Sequence, residues 1–122
     1  MEITEKTDIL LGYLEERDIR SITVIDLTGL TGDMDEFIIG TAANERNARS
    51  CAEYLREKSS GEMRLIGMEG YEDGKWILAD YGDIIVHVFI DDERRRYDLE
   101  KLWADGKFLT KRANEINENK TD

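Results

Sequence analysis

Apolar residues recur with helical spacing in two parts of the chain. The first set lies among charged side chains between residues 3 and 17 and consists of Ile3, Leu10, Tyr13 and Leu14. The second set follows the i, i+3, i+4, i+7 spacing and consists of Ala48, Cys51, Ala52 and Leu55. This spacing is typical of helices that bury one face against a core. Asn44 precedes the second helix, and its side-chain oxygen is a suitable acceptor for an unpaired N–H of the first turn.

Five other segments have the composition or the alternation of β-strands. They are residues 21–27, 36–42, 64–68, 75–80 and 83–90. A final helix, capped by Asp91 or Asp92, is predicted to carry Leu99, Leu102 and Trp103. The order helix, two strands, helix, three strands, helix predicts an α/β (α+β) fold, in which helices pack on a single mixed sheet of about five strands. We expect one domain over residues 1–105 and a polar, frayed C-terminal tail over residues 106–122.

The strands at 75–80 and 83–90 are predicted to form a hairpin, because Tyr81, Gly82 and Asp83 suit a three-residue loop. This loop pairs Asp80 with Ile84, Leu78 with Val86 and Trp76 with Val88. The predicted register groups Trp76, Leu78, Asp80, Val86 and Val88 on one face and Ile77, Ala79, Ile85, His87 and Phe89 on the other. Trp76 is then either an ordinary core residue or the aromatic anchor of a partner-binding surface with Asp80 at its rim. The pattern alone leaves both interpretations open.

Composition narrows the classes of function. The chain has 122 residues, with 28 acidic and 17 basic side chains and a net charge of −11. This balance argues against broad binding to nucleic acid or anionic membranes and favours a basic protein partner. Cys51 is the only cysteine and His87 the only histidine, which excludes an internal disulfide and argues against a zinc site. Without an 18-residue apolar run or a secretion signal, we expect a soluble, cytoplasmic protein.

Three groups are candidates for chemistry, and each has a plainer interpretation. His87 lies within an apolar strand, where a histidine is more often a hydrogen-bonded core residue than a general base. Asp33 and Asp35 are spaced to hold Mg²⁺ for nucleotidyl transfer, but no phosphate-binding glycine motif accompanies them, which favours a solvated acidic loop. The run 94–96 is the one concentration of positive charge, and on a helix its three arginines spread over about 200°.

Longer motifs carry a family resemblance. They are Gly67-Met-Glu-Gly70, Trp76-x₃-Asp80-x-Gly82-Asp83-x₃-His87, Arg94-x₂-Tyr97-x-Leu99-Glu100-x-Leu102-Trp103 and, upstream, Asp35-x-Phe37-Ile38-Ile39-x-Thr41. Through these motifs the chain closely resembles the ribosomal silencing factor family, also called the Iojap family, over about residues 3–105.

The resemblance implies a nucleotidyltransferase-like fold without retained catalysis, and no cofactor is expected. It implies binding to the large ribosomal subunit through the basic ribosomal protein numbered fourteen, at the subunit-joining face, so that joining of the small subunit is blocked. The implied partner contacts are Trp76, Asp80, Tyr81, Asp83, Arg94 and Tyr97. The resemblance also allows a homodimer in free solution, with little direct nucleic-acid contact and no membrane. The alternative is a metal-dependent nucleotidyltransferase-like enzyme that uses Asp33 and Asp35.

Overall fold

The computed structural model describes residues 1–32 and 34–112, with side chains up to residue 109. The helices are α1 (Ile3–Glu16), α2 (Glu45–Glu57), α3 (Asp91–Tyr97) and α4 (Leu99–Leu102), and a 3₁₀ turn spans Gly61–Met63. The strands are β1 (Arg20–Asp26), β2 (Glu36–Ala42), β3 (Gly67–Glu69), β4 (Trp76–Asp80), β5 (Ile84–Ile90) and β6 (Lys107–Arg112).

All six strands form one mixed sheet in the order β3-β4-β5-β2-β1-β6. Strands β2 and β5 are parallel, and every other neighbouring pair is antiparallel. The predicted class is therefore confirmed, but the sheet has six strands rather than about five. The extra strand is β6, which pairs with β1 although its residues were expected to belong to a polar tail. The rest of that predicted tail, residues 113–122, lies outside the described residues.

Helices α1 and α2 cover one face of the sheet. The residues of the second apolar set are all buried there. Leu10 and Leu14 of the first set are also buried, while Ile3 and Tyr13 are partly buried. Strand residues Ile77, Ala79, Val86 and Val88 pack into the same core cluster. The two sets of apolar residues were predicted correctly, because helical spacing indicates which side chains share the face that packs against the core.

The hairpin register differs from the predicted one by one residue. Trp76 lies opposite Phe89, Leu78 opposite His87, and Asp80 opposite Ile85. The turn is tighter than the expected three-residue loop, because the Tyr81 N–H donates to the Ile84 carbonyl (2.9 Å) and leaves Gly82 and Asp83 as the two turn residues. The Asp80 carboxylate accepts from the Gly82 N–H (2.7 Å). Gly82 has the expected positive φ of 90°. Since a slip of one residue exchanges the faces, His87 and Phe89 lie on the face of Trp76, and Val86 and Val88 lie under the helices.

The predicted final helix is divided in two. Neither Asp91 nor Asp92 caps it, because Ile90 occupies the N-cap position and no side chain bonds there. Asp98 instead ends α3 in a left-handed conformation (φ 46°, ψ 57°), and its side chain accepts from the Lys101 N–H to begin α4. Aspartate tolerates this conformation better than most residues, because its short polar side chain bonds locally to the backbone.

Asn44 is confirmed as the N-cap of α2, since its Oδ1 accepts from the Asn47 N–H at 2.8 Å. We expect Asn44→Ala to lower the free energy of unfolding by about 1 kcal/mol, because one N–H of the first turn loses its acceptor. Urea denaturation followed by circular dichroism measures the change. Asn44→Ser keeps an acceptor and should cost less than half as much. Equal losses in the two variants would contradict a capping role.

Candidate partner-binding surface

The face of the sheet opposite α1 and α2 is only partly covered. A second core cluster lies on it and consists of Ile25, Leu27, Phe37, Ile39, Ile85 and Phe89. Leu99 and Trp103, at the two ends of the α4 segment, pack against this cluster. Trp76 and Leu78 of β4 also pack against it but remain partly exposed. This side of the sheet therefore carries a covered part under α4 and an open part along β4.

Four side chains define the open part. Trp76, Leu78 and Asp80 project from the same side of β4 and are each half-buried. Tyr97, at the end of α3, is 45% exposed, and its ring centroid lies 4.7 Å from that of Trp76. We call these four residues the β4 surface. Glu69 of β3 is exposed opposite Leu78 and adds a second carboxylate beside Asp80.

Trp76 is the most constrained member of the β4 surface. Its ring stacks on Phe89, with centroids 4.9 Å apart and an interplanar angle of 25°. Its indole N–H donates a hydrogen bond to Nδ1 of His87 at 3.0 Å. A large amphipathic ring that is already ordered loses little conformational entropy when a partner binds, which is a property of binding hot spots.

The turn before β4 helps to place Trp76. Gly70 has φ of 82°, and a Cβ atom at this position would collide with the carbonyl oxygen of Trp76. Only glycine combines this backbone conformation with so close an approach. The Gly67-Met-Glu-Gly70 motif therefore serves the start of β4.

His87 is buried beneath the aromatic residues, with 3% of its surface exposed. The Phe37 ring meets it edge-on at 4.5 Å, and burial lowers its pKa from 6.5 to about 4. The imidazole is therefore neutral near pH 7. Its Nδ1 accepts from Trp76, whereas its Nε2 has no partner among the residues that the structure describes. This arrangement agrees with the prediction of a hydrogen-bonded core histidine.

Arg94 fastens α3 and α4 to the sheet. Its guanidinium makes two bonds of 3.0 Å to the Glu100 carboxylate, one from Nε and one from Nη2. Nη1 donates to the Ser21 carbonyl (2.6 Å), which a bulge in β1 exposes, and to the Thr41 hydroxyl (2.8 Å). Only 12% of the Arg94 side chain is exposed. Its N–H groups therefore donate to acceptors within the protein, and these hydrogen bonds position the segment that carries Tyr97.

Three of the six predicted contact residues, Trp76, Asp80 and Tyr97, lie on the β4 surface. Trp76 and Asp80 project from the same side of β4, and the Tyr97 ring contacts Trp76. The structure places Tyr81 on the other side of the sheet, 5% exposed within the core under the helices, where burial raises its pKa well above the usual value. Asp83 lies in the hairpin loop and forms an ion pair with Lys6 of α1 at 2.7 Å. Together with Arg94, these residues support the fold around the β4 surface rather than lining it.

Two features of the site were missed at the level of sequence. The hydrogen bond between Trp76 and His87 depends on a register in which their strands place both on one face. The hydrogen bonds of Arg94 within the fold depend on Glu100 and on a bulge in the distant strand β1. The sequence held one indication of the correct register. Trp76 and Phe89 are large aromatic residues, which favour contact across neighbouring strands, and a register that puts both on one face is the observed one.

Only one of the two residues proposed for metal chemistry is among the described residues. Asp33 lies outside the described residues, and Asp35 is exposed at the start of β2. Within residues 1–32 and 34–112, no group of three His, Cys, Asp or Glu side chains is arranged to hold a metal ion. Cys51 is buried in the core, where burial raises the pKa of its thiol to about 12. No helix in the described part of the chain is long and apolar enough to cross a membrane.

The whole chain, residues 1–122, matches the family described as "Ribosomal silencing factor during starvation". The chain belongs to this family. Ribosomal silencing factors with similar sequences include one from Halalkalibacterium halodurans, 30% identical over 86% of this chain and 91% of that protein. Another, from Haemophilus influenzae, is 36% identical over 80% of this chain and 96% of that protein.

A solved structure of a protein with a similar sequence has the same fold. A crystal structure from Chromobacterium violaceum has a TM-score of 0.77 and 31% identity, covering 93% of this chain and 94% of that one.

A mouse protein named "Mitochondrial assembly of ribosomal large subunit protein 1" is 27% identical over 80% of this chain and 44% of its own length. A role in ribosome-associated silencing of translation follows from membership of the silencing factor family.

Proposed function

We propose that this silencing factor binds the large ribosomal subunit through its β4 surface and blocks joining of the small subunit. The observation that carries the proposal is Trp76, a half-buried aromatic residue that Phe89, Tyr97 and His87 hold in one pose. The contact on the ribosome would be the basic ribosomal protein numbered fourteen, at the subunit-joining face. The protein would act on ribosomes in the cytoplasm.

The chemistry of the β4 surface supports a basic protein as the partner. An aromatic centre of Trp76, Leu78 and Tyr97 stands beside the carboxylates of Asp80 and Glu69. Interfaces commonly combine aromatic anchors at the centre with polar groups at the rim, and complementary charge accelerates association. The net charge of −11 adds long-range attraction to a basic patch and repulsion from exposed RNA phosphates.

Steric occlusion requires binding alone. A stable complex needs roughly 1,000 Å² of buried surface or more and a few well-placed hot-spot residues. No reactive group is needed, and the β4 surface offers ring carbons, a leucine and carboxylates rather than a nucleophile beside a base. We therefore place the function in binding rather than in catalysis.

A subunit-joining assay tests the proposal. Purified large subunits, preincubated with increasing protein, are mixed with small subunits, and joined ribosomes are quantified by light scattering and by sedimentation. We expect the protein to sediment with the large subunit and joining to fall as that subunit becomes occupied. Excess small subunit should shift the midpoint to higher protein concentration, as direct competition requires. Stable binding with undiminished joining would contradict occlusion, and absence of binding at low and moderate salt would contradict the whole proposal.

A further inference from the structure

The bond between Trp76 and His87 has an unusual cost. Because Nδ1 of His87 accepts the indole N–H, a neutral imidazole must carry its proton on Nε2. That nitrogen is buried and has no partner among the described residues. A buried donor without an acceptor destabilises a fold, whereas an apolar side chain of similar size at the same place would avoid the penalty.

The surroundings of His87 do not explain the choice of a polar residue. Phe37 and Phe89 flank it, and Ile39 lies opposite it on the neighbouring strand β2. These neighbours are apolar, and a phenylalanine would suit them better than an imidazole. Within the part of the chain that the structure describes, the polar contact of the imidazole is its bond with Trp76, on the β4 surface.

We propose that His87 is a positioning residue for partner binding, whose Nδ1 holds the Trp76 indole in its docking pose. This inference rests on the function proposed above. It also specifies how the partner meets the anchor. Since the indole N–H is already bonded inward, only ring carbons of Trp76 remain for contact, so the partner supplies an apolar side chain or the methylene stem of a lysine or arginine.

If His87 positions Trp76, replacing His87 should weaken binding to the large subunit without lowering the stability of the fold. His87→Phe removes the orphaned Nε2 donor, and the Trp76 N–H that loses its acceptor belongs to a partly exposed side chain that can turn to water. The variant should therefore unfold at the same or a higher urea concentration than the wild type. Its Trp76 side chain should nevertheless lose its fixed orientation. We expect affinity for the large subunit to fall about fivefold to tenfold, as the loss of one hydrogen bond and of preorganisation implies.

Two further variants make the test specific. His87→Asn places an amide oxygen near the position of Nδ1 and should recover most of the affinity. In a Trp76→Phe background, which has no indole N–H, His87→Phe should cause little further loss of affinity. Such non-additivity identifies a direct pairwise coupling. A purely structural role for His87 predicts instead that affinity follows stability in every variant.

The experiment combines NMR with binding. Hydrogen exchange of the indole N–H groups is followed in ¹H–¹⁵N spectra, with the two tryptophans assigned from a Trp103→Phe variant, and affinity is measured on purified large subunits. We expect a protected Trp76 N–H in the wild type and rapid exchange in His87→Phe. Undiminished protection in His87→Phe, or equal affinity of the two proteins for the subunit, would overturn the positioning role. Failure of the wild type to bind would overturn the proposed function itself, and the indole exchange would still show whether His87 holds Trp76.

Discussion

Trp76→Ala is expected to weaken binding to the large ribosomal subunit by at least about 2 kcal/mol, or about 30-fold. Trp76 is the largest side chain of the β4 surface, and it is ordered before binding by its stack on Phe89 and its bond to His87. Truncation removes the contact area and also frees Tyr97, whose ring lies against the indole. Equilibrium sedimentation with labelled protein measures the affinity at fixed salt.

Controls separate binding from folding in this experiment. Because Trp76 also packs on the second core cluster, unfolding of each variant is measured in parallel. Leu78→Lys adds positive charge to a half-buried, partly solvated position and should weaken binding to a basic partner without emptying the core. Tyr54→Ala removes an aromatic ring from α2, on the other layer of the protein, and should bind normally. Equal affinities of folded Trp76→Ala and wild-type protein would exclude the β4 surface as the docking site.

Stability should decline in acid because of His87. Burial lowers its pKa from 6.5 to about 4, so between these pH values the unfolded chain binds a proton that the folded protein does not. The free energy of unfolding therefore falls as the pH is lowered from 6.5 to 4, by about 3 kcal/mol from this residue. Protonation at Nδ1 would also remove the acceptor for the Trp76 N–H. Urea denaturation at a series of pH values measures the change.

The comparison with His87→Phe isolates this contribution. Glu36 is buried beside Thr7, and burial raises its pKa, so it stabilises the fold at low pH and loses that contribution as the pH rises. His87 and Glu36 thus change the free energy of unfolding in opposite directions as the pH is lowered. The difference in unfolding free energy between wild type and His87→Phe should shift by about 3 kcal/mol between pH 7 and pH 4. A difference that stays constant over this range would show that His87 takes up its proton equally in both states.

The elements that were predicted correctly are those with strong local periodicity. The stripe on α2 and the cap at Asn44 depend on residues within one or two helical turns, so a single segment contains the information. Strand β2 was predicted with its observed bounds, because its apolar residues on both sides match a strand covered on both faces. The class of fold followed from the order of these elements.

The errors concern geometry between segments. The hairpin register depended on a two-residue turn instead of the expected three-residue loop, because Tyr81 pairs with Ile84 and the Asp80 carboxylate accepts from the Gly82 N–H. The break at Asp98 and the anchoring of Arg94 depend on each other, because the left-handed turn brings Glu100 to the guanidinium. Strand β6 has adjacent apolar residues, Phe108 and Leu109, rather than an alternating pattern, and its strand conformation comes from pairing with β1. Of the residues predicted from sequence to contact the partner, Trp76, Asp80 and Tyr97 lie on the β4 surface, and their contact with a partner stays a prediction. The contacts of Tyr81, Asp83 and Arg94 within the fold could be read only from the packing.

Site-specific crosslinking shows whether the β4 surface faces the large subunit. A photoreactive benzoylphenylalanine is placed at Tyr97, on the β4 surface, or at Tyr54, on the helical layer, so that aromatic replaces aromatic in both. After irradiation on purified large subunits, the crosslinked partner is identified by mass spectrometry. We expect a crosslink from position 97 to the basic ribosomal protein numbered fourteen and none to it from position 54. Crosslinks to that protein from position 54 alone would show that the helical layer, and not the β4 surface, faces the large subunit.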